Sequence, residues 1–189
     1  MRTKTSIFFG CLLLLAVSHS PLQAQDNVLL DLSFWQTATV ADVESALGRG
    51  ADVNGSNKRG LTPLHGAVAA SRTPAVVELL LDRGADTEAR DKVNGLTPLH
   101  AAGRFSKTPA VVEVLLKHGA DINARAKGDI TPLHVAALSS ETPAVVELLL
   151  DYGADGAAED KKGRTPFEFS QANEALKNTE AFRRLKAAQ

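Results

Sequence analysis

The chain is poor in thiols, in net charge and in long apolar runs, and each shortage closes off a class of function. A single cysteine, Cys11, excludes an intramolecular disulfide framework and any cysteine-rich zinc site. With 21 basic against 22 acidic side chains, the net charge of -1 offers no bulk positive field for a nucleic-acid binder. Apolar residues nonetheless make up 44% of the 189 positions, which separates the chain from disordered, charge-rich tails and is enough for one core. No nucleophile-elbow pattern surrounds Ser33, Ser71, Ser106, Ser139 or Ser140, and there is no glycine loop of the kind that cradles phosphate. No catalytic site and no cofactor are therefore expected.

The one extended apolar stretch, Ile7 to Val17, is too short to span a bilayer and belongs to a leader. Arg2 and Lys4 precede it, and Leu22-Gln23-Ala24 supplies a small-residue cleavage site, the three-part layout of a secretory signal peptide over residues 1–24. Cys11 lies inside the apolar run rather than at its end, so it is not a lipidation site. Cleavage after Ala24 leaves residues 25–189 with 19 bases against 22 acids and no thiol, which suits an oxidising compartment. The expected location is periplasmic or secreted, without membrane contact after cleavage.

Threonine–proline pairs are what the sequence has in excess. Seven of the eight prolines follow threonine, at Thr62, Thr73, Thr97, Thr108, Thr131, Thr142 and Thr165. Gly60-Leu61-Thr62-Pro63-Leu64-His65 returns as Gly95 to His100, as Asp129 to His134, and in altered form as Gly163 to Glu168. The first threonines of these units stand 35, 34 and 34 residues apart, and each of the three full units places Gly-Ala-Asp 22 residues after its threonine. Such spacing is the mark of a repeat architecture.

Each unit reads as two short helices and an extended, polar loop. Threonine is a good N-cap and proline a good first helical residue, since the missing N–H would be unpaired there anyway. His65, His100 and His134 fall at the third helical position, within reach of the cap, as a capping-box residue does. In the second helix Val76, Val77, Leu80 and Leu81 share a face, and Gly84 supplies the left-handed residue that ends it. One unit cannot bury its apolar face alone, so units stack into a continuous core.

The pattern G-x-TPLH-x-A, VV-x-LLL, GAD-x-N resembles the ankyrin repeat over nearly all of residues 27–189. The resemblance implies an all-α solenoid of about five helix-turn-helix units joined by β-hairpin-like loops. The units fall at about 27–59, 60–94, 95–128, 129–162 and 163–189, the first and last acting as caps. In the first, Leu29 to Gln36 stands in for a helix; in the last, Phe167, Phe169, Ala172, Leu176, Phe182 and Leu185 are expected on one apolar side.

Three histidines in register raise the question of zinc, but stacked units lie roughly 10 Å apart while zinc holds its ligands at about 2 Å. A local bond at each helix start is the better reading, and His118 sits beside a helix end where a partial charge is favourable. Asp52, Asp86, Asp121 and Asp155 read as turn-stabilising side chains.

The resemblance implies binding of another protein on a concave face made of loop tips and first helices. The candidate contacts are the aliphatic and aromatic set Leu61, Leu96, Phe105, Ile130 and Leu138, and the basic set Lys58, Arg59, Lys92, Arg104, Lys127, Lys161, Lys162 and Arg164. The aliphatic row either forms an exposed ladder or is partly covered by the neighbouring loop. Glu44, Glu78, Asp82, Glu113, Glu147 and Asp151 are expected on the opposite side, giving a basic edge and an acidic back. A partner with an acidic surface would fit, and no nucleic acid is expected. The function read from these features is an exported, non-enzymatic protein-interaction scaffold. Alternatives are a secreted effector or an inhibitor of the immunity type, and an enzyme or stress-defence accessory, which requires chemistry the sequence does not display.

Overall fold

In the computed structural model, residues 27–70 and 73–189 are described; the leader, its cleavage site, and Ser71 and Arg72 lie outside the described residues. Among the described residues the chain is all helical. Single 3-10 turns at Val28–Leu30 and Phe34–Gln36 are followed by α1 (Val40–Gly48), α2 (Pro63–Ala70), α3 (Pro74–Asp82), α4 (Pro98–Phe105) and α5 (Pro109–Lys117). Then come α6 (Pro132–Ser139), α7 (Pro143–Asp151), α8 (Pro166–Ser170) and α9 (Glu180–Ala187). The even-numbered helices pack in series, α2 on α4 on α6 on α8, and the odd-numbered ones form a second layer, α1 through α9. The core lies between the two rows.

Local chemistry explains the helix ends. Pro63, Pro98, Pro132 and Pro166 open the first-layer helices directly after threonine, and Gly50, Gly84, Gly119 and Gly153, with φ between 85° and 92°, end the second-layer helices. The second-layer starts vary more than the sequence suggests. Thr39 forms a capping box with Asp42 and Thr108 accepts from the Ala110 N–H, but Thr142 makes no side-chain cap bond. There the Ser140 hydroxyl bonds the Thr142 backbone instead.

Packing repeats from unit to unit. Leu64, Leu99 and Leu133 in the first layer, and Leu80, Leu115 and Leu149 in the second, have no exposed surface. Each such leucine contributes about 1.5–3 kcal/mol of burial. Trp35 substitutes for the missing first helix: it is buried, and its indole Nε1 donates to the Leu29 carbonyl at 2.9 Å. The indole lies so close to Gly66 that a Cβ there would come within 2.5 Å of Nε1. At the other end Leu176 and Leu185 are buried and Phe167, Phe169 and Phe182 half-buried, whereas Ala172, expected on the apolar side, is exposed.

The expected β-hairpins are reduced to their tips. Two backbone bonds close each loop: the Asn57, Asp91, Ala126 and Asp160 N–H groups donate to Leu61, Leu96, Ile130 and Arg164, and the Gly60, Gly95, Asp129 and Gly163 N–H groups donate back to Asn57, Asp91, Ala126 and Asp160. One more joins each loop to the next, the Lys92, Lys127 and Lys161 N–H groups donating to Arg59, Asn94 and Gly128. Turn bonds within each loop and a single bond between neighbours make no strand ladder, and no strand is present among the described residues.

Candidate functional site

The repeated threonine–histidine pair determines how the inner helices sit. In each full unit the threonine N–H donates to histidine Nδ1 (Thr62 to His65 at 3.3 Å, Thr97 to His100 and Thr131 to His134 at 3.2 Å). Nδ1 is thus an acceptor, so the ring proton sits on Nε2 and is donated to the next unit. His65, His100 and His134 reach the carbonyls of Leu96, Ile130 and Arg164 at 3.1, 3.0 and 3.0 Å. The same side chain ties its own helix start and clamps the following loop. Burial holds all three imidazoles below their ordinary pKa, His100 at about 4, against the opposing pull of those carbonyls. With both ring nitrogens of each engaged, these histidines are structural.

The loops carry a second recurring bond set. Asp52, Asp86, Asp121 and Asp155 each accept the N–H two residues on, the turn role expected of them. At the tips the Asp91 carboxylate is buried and takes the N–H groups of Val93, Asn94 and Leu96 at 2.7–2.9 Å. Burial pushes that carboxyl up, but the three N–H donors outweigh it and hold it below its usual range. Asp160 is held down to about 2 by the corresponding bonds to Lys162 and Arg164, despite the same desolvation.

Clamped in this way, the tips and inner helices enclose a groove of about 470 Å³. Leu61, Leu96 and Ile130 line its tip side, and Arg104, Phe105 and Leu138, at the far ends of α4 and α6, line the opposite side. Leu61, Leu96 and Ile130 are half-buried, so the aliphatic row is partly covered, while Phe105 and Leu138 remain 48% and 46% exposed. Arg59 also lines the groove.

The other basic candidates lie elsewhere. Lys58, Lys92, Lys161 and Lys162 are exposed on the tips but do not line the groove, and the Lys127 ammonium bonds the Val93 carbonyl of the preceding tip. The Arg164 guanidinium is held by Asp160 at 2.7 Å and lies 4.5 Å over the Phe169 ring. Sequence reasoning passed over the floor residues Gly66, Ala69, Ala101 and Val135 and the end residues Leu32 and Phe169. The signal was available: Gly66, Ala101, Val135 and Phe169 each follow the capping position directly, and Ala69, Arg104 and Leu138 come three residues later on the same helical face.

The acidic back is only partly acidic. Arg83 meets Glu44 at 3.4 Å, Lys117 meets Glu113 at 2.7 Å, and Arg184 meets Asp151 at 2.8 Å. His118 Nε2 approaches Asp82 at 3.6 Å, while its Nδ1 bonds the Val114 carbonyl of its own helix end. Several of these acids are therefore cross-links between successive second-layer helices rather than free charge.

Family comparison agrees with this geometry. The description "Ankyrin repeats (3 copies)" matches residues 38–126, and a single ankyrin repeat matches residues 129–161. None of the curated proteins compared with the chain matches it.

Proposed function

Because the chain belongs to the ankyrin-repeat family, and ankyrin repeats mediate protein–protein interaction in general, we propose that it is an exported scaffold that binds another protein on the face containing the groove. The observation that carries the reading is the groove itself: a concave, mainly apolar surface whose lining is held in place by the histidine and aspartate clamps behind it. Preorganisation of this kind limits the ordering cost of association. Export rests on the leader layout of residues 1–24 and on the loss of the only thiol with it. The role is recognition rather than catalysis, since the groove's titratable side chains are committed to backbone partners (His65, His100, Asp91) or are arginines.

A photo-crosslinking residue placed at Phe105, with a second chain carrying it at Glu78 on the opposite layer, tests the face. Partner adducts from position 105 and not from 78 are expected in the native host. Adducts confined to position 78 would overturn the assignment. The mass of the chain recovered from the periplasmic and culture fractions tests export and the cut after Ala24; an intact leader in the cytoplasmic fraction refutes both.

A further inference from the structure

Within the concave-face reading, on which this step rests, we infer that the groove takes an extended segment of another protein in which an aliphatic or aromatic side chain is flanked by carboxylates. The apolar half of that description follows from what is left uncovered. Of the six large hydrophobic side chains exposed among the described residues, Leu32, Phe105 and Leu138 all border this groove. A volume of about 470 Å³ suits a few inserted side chains rather than a whole folded element.

The acidic half follows from the charges. Among the described residues neither the Arg59 nor the Arg104 side chain makes a hydrogen bond or ion pair; the Arg104 guanidinium lies 5.0 Å over the ring of Phe105. The one carboxylate in the lining, Asp91, is engaged by three backbone N–H groups and forms an ion pair with neither arginine. Two guanidinium groups beside an apolar floor thus have no ion-pair partner among the described residues, and a carboxylate is a group that a guanidinium binds with paired hydrogen bonds. A polyanion such as a nucleic acid fits less well, because cations would be needed along the whole groove, whereas the floor is apolar and Lys127 is already bound to Val93.

Geometry adds a spacing. Arg59 stands on the tip that precedes α2, and Arg104 at the opposite end of the next inner helix, α4. The two side chains are thus set apart both by the spacing of neighbouring helices, about 8–10 Å, and by the length of α4, about 12 Å. The matching ligand carries an acid on each side of an apolar stretch.

A displayed library of random peptides, selected on the full chain, tests this directly. The selected segments are expected to be enriched in Asp or Glu on both sides of an aliphatic or aromatic residue. On the Arg59→Glu, Arg104→Glu double variant the enrichment is expected to invert to Lys and Arg. A synthetic peptide of the first kind should lose about tenfold or more in affinity for that variant, and for the gentler Arg59→Gln, Arg104→Gln pair if the reversal fails to fold. Selected peptides without acidic enrichment, an unchanged preference on the folded variants, no selected binder at all, or equal competition by single-stranded DNA would each overturn the inference. Crosslinking at Phe105 with charge-indifferent peptides would sink this step alone; crosslinking confined to position 78 would sink the concave-face reading itself.

Discussion

Mild acid should loosen this stack through its buried histidines, and His100 allows the size to be worked out. Its ring has no exposed surface, Nδ1 accepts the Thr97 N–H, and Nε2 donates to the Ile130 carbonyl of the next unit. Protonation would place an N–H on Nδ1 facing a backbone donor and charge a ring excluded from water. The pKa is accordingly lowered from 6.5 to about 4. The unfolded chain therefore binds more protons than the folded one between those values. Stability is fully present above about pH 6.5 and falls as pH drops towards about 4. A difference of about two and a half pKa units, at 1.36 kcal/mol each, makes the full loss about 3 kcal/mol from this residue, most of it reached by about pH 4.5. His65 and His134 shift in the same direction and add to it. Asp91 and Asp160 do not confuse the window, since carboxyls lowered in the fold lose their contribution only below about pH 3.8. Urea unfolding of the full chain and of His100→Gln at a series of pH values measures the effect. The glutamine carbonyl can still accept the Thr97 N–H but does not titrate, so the variant should start less stable near pH 7 and approach the parent near pH 4.5. Parallel pH profiles for the two chains, or an imidazole titrating near 6.5 by NMR, would refute the clamp.

Three further outcomes follow from single sites. Leu115→Ala should cost about 2–5 kcal/mol, as expected for a leucine with no exposed surface, and a change below about half a kcal/mol in denaturant unfolding would refute its burial. Ala126→Asp should stabilise by about 0.5–1.5 kcal/mol, because its loop lacks the carboxylate with which Asp91 and Asp160 collect tip N–H groups; a lowered melting temperature would refute this. Gly66→Ala should destabilise by about 1–3 kcal/mol, since the new methyl carbon would fall 2.5 Å from Trp35 Nε1; blue-shifted, unchanged tryptophan fluorescence together with an unchanged urea midpoint would show that the indole is not seated there.

The features legible beforehand are those written within a few residues. Thr97 and His100 are three apart, Gly84 follows its helix directly, and Asp86 bonds the N–H of Glu88. Capping, left-handed termini and Asx turns depend on neighbours in the chain, so their spacing is nearly their geometry. The all-helical stack followed because every unit repeats the same apolar face. Leu61, Leu96, Phe105, Ile130 and Leu138 could likewise be placed together from register, and all five line the groove.

Other matters lay beyond that reach. The acceptor of His100 Nε2 is 30 residues away, and the Arg83–Glu44 and Tyr152–Glu113 contacts join residues 39 apart. Arg164 and Arg59 occupy the same side of the stack and look equivalent in composition, yet one is held by Asp160 and Phe169 while the other has no side-chain bond among the described residues. Spacing along the chain determined the unit, its caps and its order. Only the tertiary structure decided which charges stay free, because that depends on how far one unit is offset on the next and which long side chains then reach a partner.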